Sequence, residues 1–431
     1  MKILFISNDL IAGDVAYQLK KEGHDVKLYI EEKDRRHNLD NLVPKTKDWK
    51  KELDWVGKDG LIVFDDVGYG RDQDKLRKLG YKVFGGSALG DKLELNREFG
   101  QKIFAEYGLQ TVPLKDFDNL DDAVVFAKEN PAPWVIKRNG SSKFVSYVSE
   151  FEDGRDAISL LRNYLTDKST SKLKVSLHKR VYGVEIGIAR YFNGKDWVGP
   201  IEFNIEHTRF MPGDVGPTTS EMGTLAWYSE EEKNKLYTNT LVKMLPYLRK
   251  AKFIGDFGLN CIVNESGIYI LEATSRFGSP IVHLQSEIHS SPWGEFLYAL
   301  ACGKSYDLKW KKGYGLVVVL ATPPFPYQKK SKDIHYYGLN VYLKDMTKEE
   351  LSHIHWEEVS LRTFEQEQFY ITDNRGYIAY ATSVAETIEE AQKKVYTIAR
   401  KVIVPKIMFR NDIGESFRNG DRERLGTWGF L

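Results

Sequence analysis

Short apolar runs alternate with stretches of helical spacing through the first 90 residues, and few folds accept that pattern. Met1–Ser7 reads as a buried strand, Gly13–Glu22 as a helix stopped by Gly23, and Val26–Ile30 as a second strand. Gly60–Phe64 (GLIVF) is a third, followed by acidic residues and glycines; Asp74–Leu79 has the spacing of a short helix and Tyr81–Phe84 that of a strand. Strands alternating with helices predict a parallel α/β unit whose ligands sit at the carboxyl ends of the strands.

Beyond residue 90 the alternation gives way to an α+β pattern. Residues 91–107 read as one amphipathic helix ending near Gly108. Strands follow around Val112, Trp134–Lys137, Phe144–Val148, Val175–Leu177, Gly183–Phe192, Trp197–Ile205, Leu259–Val263 and Ile268–Glu272. Helical spacing covers Ser229–Ala251 and Trp293–Cys302. From Gly313 onward come strands Leu316–Ala321, Leu339–Tyr342 and Tyr377–Ser383 and a helix Thr387–Val402, taken as a third, smaller domain. The expected division is 1–90, 91–310 and 311–431, in keeping with a soft prior of about 150 residues per domain.

The 62 basic and 61 acidic residues cancel to +1, so no global field draws the chain to nucleic acid or an anionic membrane. Two cysteines, Cys261 and Cys302, build neither a disulfide framework nor a zinc ribbon. The N-terminus lacks the long apolar core of a signal peptide, and no apolar stretch approaches the ~20 residues of a membrane span. The expected compartment is the cytoplasm. The basic cluster Lys329–Lys332 reads as a solvated loop.

Three segments have the residues for chemistry. GDVGPTTSEMG, Gly213–Gly223, can lay backbone N–H groups and hydroxyls around a small polar substrate, although its composition equally suits a surface loop. ILEATSRFGSP, Ile270–Pro280, delivers Glu272 from a strand, with Thr274 and Arg276 on the same face while the strand lasts. A carboxylate there suits a divalent cation and an arginine suits phosphate; a surface salt bridge is the plainer alternative. WVIKRNGSSKFV, Trp134–Val145, ends a strand in Lys137 and continues into a glycine–serine turn with Lys143. It fits a polyphosphate loop or a simple hairpin, and it is not a Walker A sequence.

In this order the segments resemble the ATP-grasp superfamily, and within it the phosphoribosylamine–glycine ligases. LELNREF (93–99), VIKRNGSS (135–142), GDVGPTTSEMG, LEATSRFGSP, AETIEEAQKKVY (385–396) and FRNDIG (409–414) each look like a motif of that family. The resemblance implies an N-terminal parallel α/β domain, a two-lobed ATP-grasp whose lobe at about 113–180 closes over ATP, and a small C-terminal cap domain. It implies ATP with Mg²⁺ or Mn²⁺ as cofactors, small-molecule substrates, and a monomer or homodimer. It also implies an acyl phosphate made from a carboxylate and captured by an amine.

Carried over position by position, Arg97, Lys137, Ser141, Ser142, Lys143 and Glu185 would meet ATP. Glu272, with Thr274 and Asn260, would hold the metal, and Arg276 would act with Glu272 in catalysis. Asp214, Gly216, Pro217, Thr218, Thr219, Met222 and Gly223 would surround the carboxylate substrate, expected to be glycine or a similar amino acid. Asn8, Asp9, Asp65, Asp66 and Ser279 would form the acceptor pocket.

The departures from the family's pattern cluster on that last group. The glycine-rich first turn is replaced by SNDLIAGD (7–14), the turn after the third strand is FDDVGYG (64–70), and the aspartate after the R-F-G motif is Ser279. An acid where a phosphate was bound repels it by ~1 kcal/mol at 4 Å in water-like dielectric and more when buried. The expectation is a ligase whose amine acceptor is no longer phosphoribosylamine. Two other readings stand beside it: a divergent phosphoribosylamine–glycine ligase, and a weak or inactive nucleotide-binding homologue. The last is suggested by Thr274, a poorer Mg²⁺ ligand than asparagine.

Overall fold

A computed structural model describes residues 1–138, 147–166, 173–327, 334–363 and 366–431. Ser141, Ser142, Lys143, the start of the expected strand Phe144–Val148 and the basic cluster Lys329–Lys332 lie outside the described residues.

Strands β1 (Lys2–Ser7), β2 (Asp25–Ile30), β3 (Leu61–Phe64) and β4 (Lys82–Phe84) form a parallel sheet in the order β2-β1-β3-β4. All four residues of β3 are buried, as a strand covered on both faces requires. Because β1 and β3 run parallel, with Ile6 beside Phe64, the turns that follow them, Asn8–Asp9 and Asp65–Asp66, emerge at one edge. The expected helix over 91–107 is two helices, Ala88–Leu95 and Arg97–Glu106. Asn96 is the cause: its backbone is extended, and its side chain accepts the Phe99 N–H at 2.9 Å, capping a new helix in mid-pattern.

A small antiparallel sheet, β5 (Leu114–Phe117), β6 (Trp134–Arg138), β7 (Tyr147–Val148) and β8 (Val175–Lys179), is ordered β5-β8-β6-β7. Helices Leu120–Glu129 and Arg155–Thr166, not foreseen from the sequence, pack on it. Phe117, Leu120, Trp134, Leu161 and Leu177 belong to a core of its own.

The largest element begins with β9 (Val184–Phe192) and β10 (Trp197–Glu206). A hairpin of β11 (Arg209–Met211) and β12 (Val215–Thr218) leads to β13 (Gly223–Ser229), followed by β14 (Gly255–Asn264), β15 (Gly267–Thr274) and β16 (Tyr314–Ala321). After the short pieces β17 (Tyr342–Leu343), β18 (Ile354–Trp356), β19 (Val359–Arg362) and β20 (Gln368–Ile371) come β21 (Tyr377–Ala385) and β22 (Val402–Ile403). Eight of these strands make one antiparallel sheet in the order β15-β14-β9-β10-β13-β16-β21-β18. The strands after residue 313 therefore extend the central sheet, with Thr224 paired to Val317 and Val317 to Thr382. One continuous core runs from Ile3 and Phe5 through Ile186, Phe203 and Leu259 to Leu316, Val395 and Phe430. The opposite face of β9, β10, β14 and β15 is polar.

Candidate active site

The polar face is written in alternate residues: Glu185 and Gly187 on β9; Glu202, Asn204 and Glu206 on β10; Asp256, Gly258 and Asn260 on β14. The register sets Asn204 and Asn260 on either side of Gly187, and Glu272 beyond Asn260. A Cβ on Gly187 would come within 2.1 Å of the Asn204 side chain, so glycine keeps this floor low. Glu272 reaches the same face through a β-bulge. Cys261 pairs with Ile270 and Asn260 with Glu272, leaving Leu271 as the extra residue. Ile270 thereby stays in the core at 1% exposure, while the Glu272 side chain, 52% exposed, is re-aimed over the polar face.

Charges converge on this floor. Arg97 opens its helix with Nη2 3.8 Å from Glu272 Oε2. Lys137, at the end of β6, faces Glu272, Glu185 and Arg97; burial pulls its ammonium pKa down, Glu272 opposes the shift and Arg97 adds to it. Burial raises the Glu185 carboxyl, with Lys137 opposing. Burial, with Glu185 and Glu272 nearby, pushes Glu206 up to about 8. Asn260 Nδ2 donates to both Glu206 oxygens at 3.2 and 3.1 Å, which turns its own Oδ1 away from that carboxylate. A cavity of about 110 Å³ lies beside this cluster, lined by Glu94, Arg97, Gln101, Glu272, Thr274 and Arg276 among others. Thus Arg97, Lys137, Glu185, Glu272 and Asn260 come together. Thr274 follows on the same strand, opposite Gly258. The oxygens of Glu272, Glu206 and Asn260 are a hard donor set of the kind Mg²⁺ takes. Glu206 was not singled out from the sequence; its signal was the period-two run Glu202, Asn204, Glu206, which continues one residue past the strand expected over Trp197–Ile205.

The acceptor-side residues have other engagements. Arg276 Nε lies 3.0 Å from Glu94 Oε1 and 3.6 Å from Asp66 Oδ1, and Nη1 donates to the Phe277 carbonyl. Asp65 is fully enclosed and accepts the Ala12 N–H at 2.9 Å. Burial and the neighbouring Asp66 push Asp65 up to about 8, so at neutral pH it braces the turn largely as a neutral acid instead of offering the charge expected of it. Burial raises Asp66 to about 6 against the pull of Arg276. Asn8 is exposed, and Ser279 is half-buried just before the helix Ile281–Ile288. Asp9 receives Arg375 at 2.5 Å and Arg35 at 3.4 Å. Arg35, 3% exposed, also meets Glu357 at 2.5 Å, Asp373 at 3.2 Å and Glu358 at 3.6 Å. The arginines of this wall, Arg35, Arg276 and Arg375, each face carboxylates already.

The 213–223 loop is the β11–β12 hairpin with its return into β13. Gly213, Asp214 and Gly216 take positive φ values of 71°, 56° and 88°. Pro217, Thr218 and Thr219 are half-buried, and Thr219 N–H and Oγ1 both bond the Thr208 carbonyl, at 2.7 and 2.8 Å. Gly223 is required, because a Cβ there would lie 2.5 Å from the Val317 carbonyl oxygen. Met222 turns inward at 0% exposure beside Ala226 and Tyr228, so its thioether is core and not substrate lining. Arg410 pins the loop from behind: it meets Asp412 at 2.7 and 2.6 Å, Asp214 at 2.8 Å and the Arg209 carbonyl at 2.9 Å, while Asp412 accepts the Gly213 N–H at 2.8 Å. Asp214 is thus committed to Arg410. The segments 213–223 and 409–414, nearly 200 positions apart, are one structural unit.

Residues 95–282 match the model of the phosphoribosylglycinamide synthetase ATP-grasp (A) domain. Phosphoribosylamine–glycine ligase of Listeria monocytogenes is 26% identical over 355 residues, covering 79% of this chain and 80% of the relative. The Lactococcus lactis protein of the same name is 26% identical over 389 residues, 87% of this chain and 86% of its own. The crystal structure of phosphoribosylamine–glycine ligase from Thermotoga maritima superposes with a TM-score of 0.71 at 19% identity, covering 96% of this chain and 100% of that one. The fold is accordingly that of the ATP-grasp proteins. Among the described residues no helix is long and apolar enough to cross a membrane.

Proposed function

We propose that this ATP-grasp chain is an ADP-forming carboxylate–amine ligase that activates glycine or a similar small amino acid and joins it to an amine other than phosphoribosylamine. The carboxylate oxygen attacks the γ-phosphorus of ATP and ADP leaves. The amine nitrogen then attacks the acyl carbon, inorganic phosphate leaves as the C–N bond forms, and the amine's proton passes to water. The relatives' shared name and the glycine-rich hairpin support the first half of this reading. A divalent cation, Mg²⁺ or Mn²⁺, would neutralise the phosphates when bound, held by Glu272 and Glu206, with Asn260 contributing Oδ1 only once its amide turns over from Glu206. Lys137 and Arg97 orient the transferred phosphoryl group, and Glu185 lies where the nucleotide ribose is expected. The low floor at Gly187 gives the nucleotide room, and the hairpin of Gly216–Thr219 presents backbone groups to the carboxylate. The protein contributes position and charge, not covalent chemistry.

The observation that carries the changed acceptor is the pairing of Arg276 with Glu94 and Asp66. A phosphorylated acceptor needs an uncommitted cation, and each arginine on this wall already has a carboxylate. Bringing a phosphate beside Asp66 and Glu94 adds like-charge repulsion of a few kcal/mol at an effective dielectric near 20. An uncharged or cationic amine meets no such penalty. A phosphoribosylamine–glycine ligase remains the second reading, favoured by curated relatives that align over four-fifths of their length.

The test is ADP release by purified protein with ATP, Mg²⁺ and glycine against a panel of amines. Turnover with neutral or cationic amines and none with phosphoribosylamine is expected. Enzyme-like rates with phosphoribosylamine overturn the changed acceptor. No hydrolysis or nucleotide protection with any carboxylate overturns the ligase itself and leaves an inactive homologue.

A further inference from the structure

A second group of polar side chains lies apart from the ATP cleft and takes no part in the chemistry above. Asp14, in the first turn of helix Gly13–Lys21, His283, in helix Ile281–Ile288, and His355, on β18, meet where these three elements pack. They are 1%, 1% and 2% exposed. A carboxylate oxygen and one nitrogen from each ring all lie within 4.8 Å of one another. Two of the three are hydrogen-bonded: His355 Nδ1 is 2.7 Å from Asp14 Oδ2, and His355 Nε2 is 3.1 Å from Thr382 Oγ1. His283 is different. Among the described residues neither of its ring nitrogens has a partner, although the ring is enclosed and stacked on Tyr380 with centroids 4.0 Å apart. An imidazole buried with both nitrogens idle is unfavourable unless something else satisfies it.

The geometry points to a structural site for a divalent transition ion, Zn²⁺ by preference, held by Asp14, His283 and His355. One carboxylate oxygen and two imidazole nitrogens are the borderline donors zinc takes, and poor company for Mg²⁺ or Ca²⁺. At bond lengths near 2.1 Å tetrahedral ligand atoms sit about 3.4 Å apart, so side-chain rotations of about an ångström close the set. His355 would bind through Nδ1, exchanging its bond to Asp14 for one to the ion. Its Nε2–H then donates to the Thr382 hydroxyl, which lies 3.4 Å from Glu287. That outer partner fixes the ring as second-shell groups do in zinc proteins. Asp14 Oδ1 is already oriented by the Trp356 N–H at 3.2 Å. Gln18, whose amide lies 2.7 Å from Asp14 Oδ2, can turn its oxygen into the fourth position. The ion would staple the N-terminal α/β unit to the central sheet. Asp14 follows the Asn8–Asp9 turn and His355 precedes Glu357–Glu358, so the staple stands directly behind the acidic wall.

Protein expressed in zinc-supplemented medium, purified without chelator and dialysed against Mg²⁺ is expected to retain about one zinc per chain by elemental analysis. A zinc-selective chelator should lower its Tm by several degrees, with recovery on adding Zn²⁺ but not Mg²⁺. Glu272→Ala should keep the zinc and His283→Gln should lose it, which separates this site from the ATP cleft. Should His283→Gln not fold, Co²⁺ reconstitution of the unaltered protein decides: tetrahedral ligand-field absorption in the visible supports the site and its absence overturns it. Zinc far below one per chain with a Tm indifferent to chelator and Zn²⁺, or undiminished zinc in folded His283→Gln, overturns it equally.

Discussion

Replacing Arg410 with methionine tests how the hairpin proposed to meet the carboxylate substrate is held. The Arg410 side chain is 1% exposed and touches three groups of unequal weight. Asp214 is 62% exposed, so its 2.8 Å contact contributes only ~0.2–1 kcal/mol. Asp412 is 15% exposed and meets the guanidinium in a fork at 2.7 and 2.6 Å. Breaking a buried pair of that kind costs ~3–5 kcal/mol, because the remaining carboxylate is left uncompensated. Methionine restores most of the packing but neither the fork nor the bond to the Arg209 carbonyl. Discounting for the partial exposure of Asp412, we expect a loss of about 3 kcal/mol in urea unfolding. Asp412 also holds the Gly213 N–H, so the hairpin should loosen at the end proposed to meet the carboxylate substrate. With ATP saturating, KM for glycine should rise about tenfold, equivalent to ~1.4 kcal/mol of lost positioning, while KM for ATP changes less than about twofold. Arg410→Lys, which keeps the charge without the fork, should fall between. Destabilisation with an unchanged glycine KM would refute the link between this arginine and the substrate loop. Unchanged stability would refute the weight given to the fork.

Glu272→Ala should reduce Mg²⁺-dependent ATP turnover by at least about 100-fold, since it removes a proposed ligand of the cation that neutralises the transferred phosphoryl; an unaffected rate would show that the metal is held elsewhere. Asp65→Asn should alter the pH dependence of stability. The folded carboxyl is pushed up to about 8 from an ordinary 3.8, chiefly by burial, so the native state binds the extra proton between those values. Stability then declines as pH rises through that window, by up to about 1.4 kcal/mol per unit from this group, and asparagine removes that share of the decline. Urea melts at pH 5 and pH 9 should differ less for the variant than for the parent, and equal differences refute it. Glu287 behaves oppositely: burial alone would raise it, but His353 at 2.6 Å and Lys311 at 2.7 Å pull it down to about 2. That contribution is complete above about pH 4.5 and fades as pH falls toward 2, so Glu287→Gln should destabilise at pH 7 and matter little near pH 2.5, as thermal melts at the two pH values can read.

Elements whose signal lies within a few residues were legible. The β1–β4 strands, the long strands β9, β10 and β21, and the helix Ile388–Ala399 all announce themselves by period or by apolar runs. What failed was punctuation. Asn96 in an amphipathic pattern looked like one more polar position, yet its side chain starts a second helix. Thr240 similarly separates Lys235–Asn239 from Leu241–Lys250, where one helix was expected over Ser229–Ala251. In the site, Lys137 and Glu272 stand at the ends of strands readable from the sequence, whereas Arg97 falls inside the single helix expected over 91–107 and was singled out by the resemblance alone. Glu206 could not be placed, because its importance comes from Asn260 on a strand 54 residues later. Met222 and Asp214 were assigned to substrate from a motif, whereas core packing and Arg410, neither visible locally, decide where they point.

The two ends of the site follow different electrostatic rules, and the difference bears on what the chain can accept. Around Glu272 the cations Lys137 and Arg97 lie within the field of Glu272 and Glu185, and among the described residues neither is held in a bidentate carboxylate fork. On the proposed reading, a polyphosphate with its metal enters there without having to break such a fork. On the acceptor side the arginines are consumed. Arg276 is held by Glu94 and Asp66, and Arg35 by Asp9, Glu357, Glu358 and Asp373, so an arriving phosphate would have to break an existing pair to make its own. Burial raises Glu357 to about 7 and Glu358 further, with Arg35 opposing both shifts. A cationic amine brings no competition for these arginines. An anionic one can only compete with carboxylates already in position. Asp66→Asn, which frees one face of Arg276, should therefore weaken a cationic acceptor and improve a phosphorylated one, and a ratio of the two kcat/KM values that does not move in that direction would remove the electrostatic case for a changed acceptor.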